Sequence, residues 1–213
     1  MNEYIENLIL RFPMLESIEP EISKAYGILL ASVSAGGKIL VCGNGGSSAD
    51  ADHIVGELMK SFCRKRPIDD ALQHRLIAID AKRGGILAQG LEGTIPAINL
   101  TQHTALTTAY SNDRYPALAF SQQLLGYGNP GDTLIALSTS GNSENVILAC
   151  ITAKAKGLRV VALTGASPAL LDQYCDVVIK VPETETYKIQ ELHLPVYHCL
   201  CLALEVAFWK NAD

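Results

Sequence analysis

Two stretches of this chain carry residue types that could hold an anion, and one pair beside them could move a proton. Gly43-Asn44-Gly45-Gly46-Ser47-Ser48 follows the apolar run Ile39 to Cys42 and leads into a helical pattern with Asp50 and Asp52 in its first turn. Glycines let the backbone turn sharply and approach a ligand closely. The first N–H groups of a helix have no internal partner, so strand, glycine loop and helix start together make an anion cradle. The spacing is neither G-x-G-x-x-G nor G-x-x-x-x-G-K-[ST], so neither a dinucleotide nor a nucleoside triphosphate is indicated. Ser138-Thr139-Ser140-Gly141-Asn142-Ser143 repeats the arrangement after a later apolar run. Its hydroxyls are short donors for phosphate oxygens beside free N–H groups, and the helix dipole makes a lysine or arginine unnecessary. His53 and Glu57 lie one turn beyond the first loop and four residues apart, on one helix face. A carboxylate or imidazole there can shuttle a proton. Alone, such a pair is more often a surface hydrogen bond; two anion loops give it company.

These residues need a frame, and the chain supplies a regular one. The stretch to Ala35 reads as two helices, the second opened by Pro20, covering a sheet face or a partner subunit. Strands are expected at 39–42, 96–100, 132–137, 159–164 and 176–181, alternating with helices from Ser47, over 67–80, after Thr101 to Asp113, at 117–125, 144–156 and 187–209. Lys82-Arg83-Gly84-Gly85 is expected to break the helix before it. Strands alternating with helices force crossovers and a parallel sheet covered on both faces, so the expectation is one α/β domain over 1–213. In such a sheet ligands bind beyond the carboxyl ends of the strands, where both loops lie.

Composition narrows the class. The 213 residues are 48% hydrophobic with a net charge of −5, enough for a large core and unlike a nucleic-acid surface. Arg64-Lys65-Arg66 is the one basic run and reads as solvated. The N-terminus lacks a signal-peptide pattern, and the apolar stretch 194–209 is interrupted by His198 and Glu205, which argues against a membrane span. Six cysteines without a C-x-x-C pair, two of them in apolar elements (Cys42 and Cys150), suit reduced, packed thiols and a cytoplasmic protein.

The two loops together resemble those of a sugar isomerase (SIS) domain. His53-x-x-x-Glu57, Asn112-Asp113 and Ile189-Gln190-Glu191-Leu192-His193 leading to His198 narrow the resemblance to the phosphoheptose isomerase family. It implies a three-layer SIS fold with a five-stranded parallel sheet, N-terminal helices, and a homotetramer with sites at subunit contacts. Asn44, Gly45, Gly46, Ser47, Asn112, Asp113, Ser138, Thr139, Ser140 and Ser143 would contact the phosphosugar, with Glu57 and Gln190. His53, Glu57, Gln190 and His198 would hold one zinc per site, with Glu57 and His198 as acid and base. The implied reaction interconverts sedoheptulose 7-phosphate and D-glycero-D-manno-heptose 7-phosphate. Two rivals stand beside it: a non-catalytic phosphosugar-binding or assembly protein, which has no need of Glu57 and His198 together, and an isomerase of another phosphosugar.

Two departures and one geometric problem qualify the match. Tyr187 stands where the family usually has Asp, with Glu185 nearby, and the region 63–103 looks longer than the usual connection by roughly two dozen residues. Gln190 and His198 are eight apart on one helix, about 12 Å along its axis and roughly 80° around it. Either that helix starts irregularly at Gln190, or the two ligands of one ion come from different subunits; the second is the expectation. His193, His74 and His103 read as satisfied or surface groups. Leu200, Leu202, Leu204, Val206 and Phe208 read as core or interface, and an apolar helix of this kind must be covered on several sides.

Overall fold

The computed structural model describes residues 2–210. All strands are parallel in one sheet: β1 (Ile39–Gly43), β2 (Ala97–Asn99), β3 (Thr133–Leu137), β4 (Arg159–Thr164) and β5 (Val177–Lys180), in the order β2-β1-β3-β4-β5. Each lies within one residue of the span its apolar pattern predicts. The helices are α1 (Glu3–Arg11), α2 (Glu19–Ser34), α3 (Gly46–Met59), α4 (Asp70–Ile79), α5 (Ala81–Gly90), α6 (Thr104–Asp113), α7 (Ala119–Tyr127), α8 (Glu144–Ala155) and α9 (Thr186–Phe208).

Side chains alternate across the strands, so each strand feeds two cores. Ile39, Val41, Ile135, Leu137, Val161 and Leu163 face α1, α2, α3 and α9. Leu40, Cys42, Leu134, Ala136, Val160 and Ala162 face α7 and α8. The N-terminal helices therefore cover a sheet face, with Ile5, Leu8, Ile22, Ala25 and Leu29 buried. They also cover α9 on the sides its apolar sequence required: Leu200 and Leu204 are buried and Leu202 and Val206 half-buried, while Phe208 keeps 37% of its surface exposed. Contrary to the sequence reading, α9 is long and apolar enough to cross a membrane. Half of its most apolar window is nevertheless buried inside the fold, as in a core helix. Cys42 and Cys150 are buried and unpaired.

The connection between α3 and β2 differs from its sequence pattern. The break after α4 falls at Asp80, not at Lys82–Gly85: Asp80 is extended and its carboxylate accepts from the N–H groups of Lys82 and Arg83 at 3.0 and 2.7 Å. An aspartate N-cap decides where a helix starts more strongly than glycines within it oppose one. Gly84 is buried because a Cβ there would overlap the Leu76 carbonyl, so it permits the close approach of α4 and α5 as a hairpin. None of α4 is buried, and Ile79, placed by its pattern on an apolar face, is 85% exposed.

Arg66 overturns a second expectation. It is not part of a solvated run but is fully buried, paired with a fully buried Glu205 at 2.7 Å. Its Nη1 and Nη2 donate to the carbonyls of Leu58 and Glu57, each at 2.8 Å, and the Trp209 ring lies 4.9 Å from its guanidinium carbon. Glu205 also accepts from the N–H groups of Phe62 and Cys63 at 2.8 and 2.9 Å. Burial alone would raise the Glu205 pKa, but these N–H groups and the guanidinium outweigh it and hold the carboxyl below its ordinary value. Removing one partner strands the other charge, so Arg66→Met alone is expected to cost about 3–5 kcal/mol in denaturant unfolding. Arg66→Met with Glu205→Leu should cost clearly less than the sum of the single variants; additive losses would show that the two charges do not act as a unit.

Candidate active site

The strand order places the carboxyl ends of β1 and β3 side by side at the point where crossovers diverge to opposite faces. That is where an open parallel sheet leaves a crevice for ligand. The β1 loop enters α3 through Gly45, whose φ of 56° suits glycine, and the β3 loop enters α8 through Ser143. Neither helix start is covered by a side-chain cap; the N–H groups of Ser47, Ser48 and Val146 turn back onto the carbonyls of Asn44, Gly45 and Ser143, while no hydrogen bond among the described residues takes those of Gly46, Glu144 and Asn145. The two loops are stitched together by the Asn44 and Asn145 amides, which exchange hydrogen bonds of 2.9 and 2.8 Å. Within the second loop the Ser138 hydroxyl donates to Ser143 Oγ at 3.2 Å and accepts from the Gly141 N–H at 3.1 Å; Ser140 Oγ accepts from the Asn142 N–H at 3.2 Å. Ser140 is exposed, Thr139 and Ser143 half-buried, and Ser138 and Ser47 buried.

His53, Glu57 and His198 meet about two turns down α3 from this loop. His53 Nε2 lies 3.1 Å from Glu57 Oε1 and 3.4 Å from His198 Nε2. Phe62 packs edge-on against the His198 ring, with centroids 5.3 Å apart. Burial first, then the neighbouring His53 and Arg11, pushes the His198 pKa down against the pull of Glu57, which favours a neutral imidazole. A cleft of about 180 Å³ between α1 and α9 also reaches His198, bordered by Asn7, Arg11, Glu191 and Pro195.

Gln190 is elsewhere on the same helix. A Cβ on Gly46 would come within 2.5 Å of its Nε2, so its amide lies against the first loop. Helix α9 starts at Thr186, before Gln190, which removes the irregular-start explanation. His198 meets His53 of its own chain, whereas Gln190 does not reach that cluster. Asn112 and Asp113 end α6 in exposed positions and bond to each other at 2.8 Å; among the described residues no hydrogen bond ties either to the other candidates. Tyr187 is 56% exposed, with the Lys188 ammonium 5.7 Å from its ring centroid. His193 is fully buried and donates to the Thr164 carbonyl at 3.3 Å; burial lowers its pKa to about 4, so it is neutral.

The donors suit a divalent cation by type: two imidazoles, a carboxylate and an amide. One oxygen supports the fit, since Glu57 Oε2 is buried without a partner among the described residues. No three His, Cys, Asp or Glu side chains among the described residues close around one point, and His53, Glu57 and His198 form an open chain of contacts.

The sequence reading missed Asp50, Tyr197, Phe62 and the Arg66–Glu205 pair. Tyr197 Oη lies 3.0 Å from His53 Nδ1 and donates to Asp50 Oδ1 at 3.2 Å. Burial, then the Asp50 carboxylate, pushes the Tyr197 pKa up, so the phenol keeps its proton. The spacing 50, 53, 57 puts three polar side chains on one helix face and was the available signal.

Comparison with known proteins gives this geometry a family. A SIS domain model matches residues 3–83 and 81–165. A phosphoheptose isomerase of Rhodospirillum rubrum is 39% identical over 196 residues, which is 92% of this chain and 90% of the relative. The chain belongs to the phosphoheptose isomerase family. A second family member, from Akkermansia muciniphila, is 37% identical over 96% of this chain and 97% of its own. The solved phosphoheptose isomerase of Francisella tularensis superposes with a TM-score of 0.74 at 30% identity, covering 95% of both chains. In a family that handles phosphosugars, a negative charge placed at the mouth of the second loop should repel the phosphate. Ser140→Asp is expected to abolish phosphosugar binding by calorimetry while leaving the melting temperature near wild type; unchanged affinity would move the phosphate site elsewhere.

Proposed function

We propose that this family member interconverts sedoheptulose 7-phosphate and D-glycero-D-manno-heptose 7-phosphate. The observation that carries the reading is the placement of His53, Glu57 and His198 about 10 Å along α3 from its anion-binding start. An extended seven-carbon sugar, held by its phosphate at the loops, can span that distance and present its first two carbons to the cluster. The N–H groups and hydroxyls at Ser138–Ser143, with the α3 start, take the phosphate without a cationic side chain.

Conversion of the ketose removes a proton from C1, passes through an enediolate, and returns a proton to C2 as the hydroxyl proton moves between O1 and O2. Glu57 has one oxygen on His53 and a second without a partner, which suits it to carry the carbon-bound proton. A neutral His198 can give a proton to one oxygen and accept from the other. His53, Glu57 and His198 would hold a zinc ion together with a Gln190 supplied by a neighbouring subunit, since in its own chain Gln190 lies at the first loop, eight residues along α9 from His198. When bound, the ion supplies electrostatic stabilisation of negative charge developing on the two adjacent oxygens.

We place the enzyme in the cytoplasm, as a homotetramer, with neither a membrane nor a nucleic acid as partner. Support for assembly comes from apolar side chains exposed on α1 and on the α4–α5 hairpin: Leu10 at 78%, Ile79 at 85% and Ile86 at 66%. Light scattering at micromolar concentration should read the mass of four chains; a monomer would refute the assembly.

The purified protein should isomerise sedoheptulose 7-phosphate ahead of other ketose phosphates in a panel assayed with and without zinc. Glu57→Gln should keep the fold and most substrate affinity and lose about 10²–10⁴-fold in kcat, because an amide cannot carry the proton. Turnover within a few-fold of wild type would remove Glu57 from the mechanism and favour a phosphosugar-binding protein. A different preferred ketose phosphate would keep the mechanism and change the substrate.

A further inference from the structure

Asp50 and Tyr197 touch neither loop, yet they decide what His53 can do. Tyr197 is 2% exposed, so water has little access to the contacts of its hydroxyl. That hydroxyl has one proton and two neighbours, Asp50 Oδ1 at 3.2 Å and His53 Nδ1 at 3.0 Å. An ionised carboxylate only accepts, so the phenol proton belongs to Asp50. The contact with His53 must then be filled by a proton on Nδ1. Neutral His53 is left with its lone pair on Nε2, the nitrogen that faces Glu57 Oε1 at 3.1 Å and His198 Nε2 at 3.4 Å. A lone pair and a carboxylate oxygen that close repel each other unless a proton or cation lies near both. The protein therefore holds an acceptor-rich point at the centre of the cluster.

We propose that Asp50 and Tyr197 are positioning residues that fix His53 in its Nδ1–H tautomer and aim the Nε2 lone pair into the cluster. The other tautomer would present an N–H there and could neither ligate a cation nor accept a proton. An imidazole whose second nitrogen is anchored by an acceptor is the usual arrangement for a metal-binding histidine. Here a phenol relays the anchor from the carboxylate. The proposal rests on the zinc-assisted isomerase reading for what the lone pair serves, and not for the tautomer itself.

The test reads the tautomer directly. Long-range 1H–15N spectra of metal-free, 15N-histidine-labelled protein at pH 8 distinguish protonated from unprotonated ring nitrogens, and His53→Gln assigns the signals. Wild-type His53 is expected to carry its proton on Nδ1. In Asp50→Ala the phenol is freed to donate to Nδ1, so His53 should switch to the Nε2–H form. In Tyr197→Phe the anchor is gone and a mixture should appear. A wild-type proton on Nε2, or a cationic ring at pH 8, overturns the proposal even if neither variant folds. Unchanged His53 signals in both folded variants overturn it as well. Titrated with zinc in a calorimeter, the two variants should bind about 10–100-fold more weakly than wild type; equal affinity would overturn the positioning role. Failure of the wild-type protein to bind zinc would instead refute the metal reading and leave the tautomer to be judged by the spectra.

Discussion

The buried pair of Arg66 and Glu205 holds the site's two helices in register. The guanidinium sits at the C-terminal end of α3, where unpaired carbonyls and the helix dipole favour a cation, and it takes the carbonyls of Glu57 and Leu58 directly. Its counter-charge comes from α9, one helix over, and the same carboxylate gathers the amides of Phe62 and Cys63. An apolar pair could fill the same volume with no loss of stability in principle. It would, however, leave the Glu57 carbonyl and the amides of Phe62 and Cys63 without these partners, and the end of α3 would be free to fray. Glu57 is the residue whose backbone is held, so the direction of its side chain follows from a contact made on its other side.

With that end fixed, α3 and α9 run alongside each other in the same sense. Gly46 meets Gln190, Asp50 meets Tyr197, and His53 meets His198, so seven residues along one helix match eight along the other. Polar groups are thereby sorted by depth. The starts of α3 and α8 lie at the crevice mouth, and the imidazoles and carboxylates lie two turns below. Local dipoles, not the overall charge of −5, set the field at that mouth.

The connection between α3 and β2 is tied down only at its base. Gly93 N–H donates to the Arg66 carbonyl at 2.6 Å, and Glu92 takes both the N–H and the hydroxyl of Ser61. Beyond this staple the α4–α5 hairpin packs chiefly on itself through Gly84 and leaves isoleucines in solvent. The segment that supplies Arg66 to the buried pair thus also carries Ile79, the most exposed large apolar side chain among the described residues.

Local chemistry determined the elements from sequence alone. Apolar runs bounded by glycine and proline marked every strand within a residue, because a strand buried on both faces cannot hide its composition. Both strand-to-helix loops were equally legible, since helix starts after glycine or serine turns are a property of contiguous residues. So was the sharing of one face by His53 and Glu57. The strand order β2-β1-β3-β4-β5 was not legible, and it is what brings the two loops to one crevice. Spacing set Gln190 and His198 about 12 Å apart on one helix, but it could not reveal that Gln190 lies against the first loop while His198 meets His53, or that Tyr197 bridges Asp50 to His53. Arg66 looked like one of three solvated basic residues, because a charge is legible as buried only when its partner is known, and Glu205 lies 139 residues away. Period and composition act along the chain; the pairing of charges and the tautomer of an imidazole are set by which helix lies next to which.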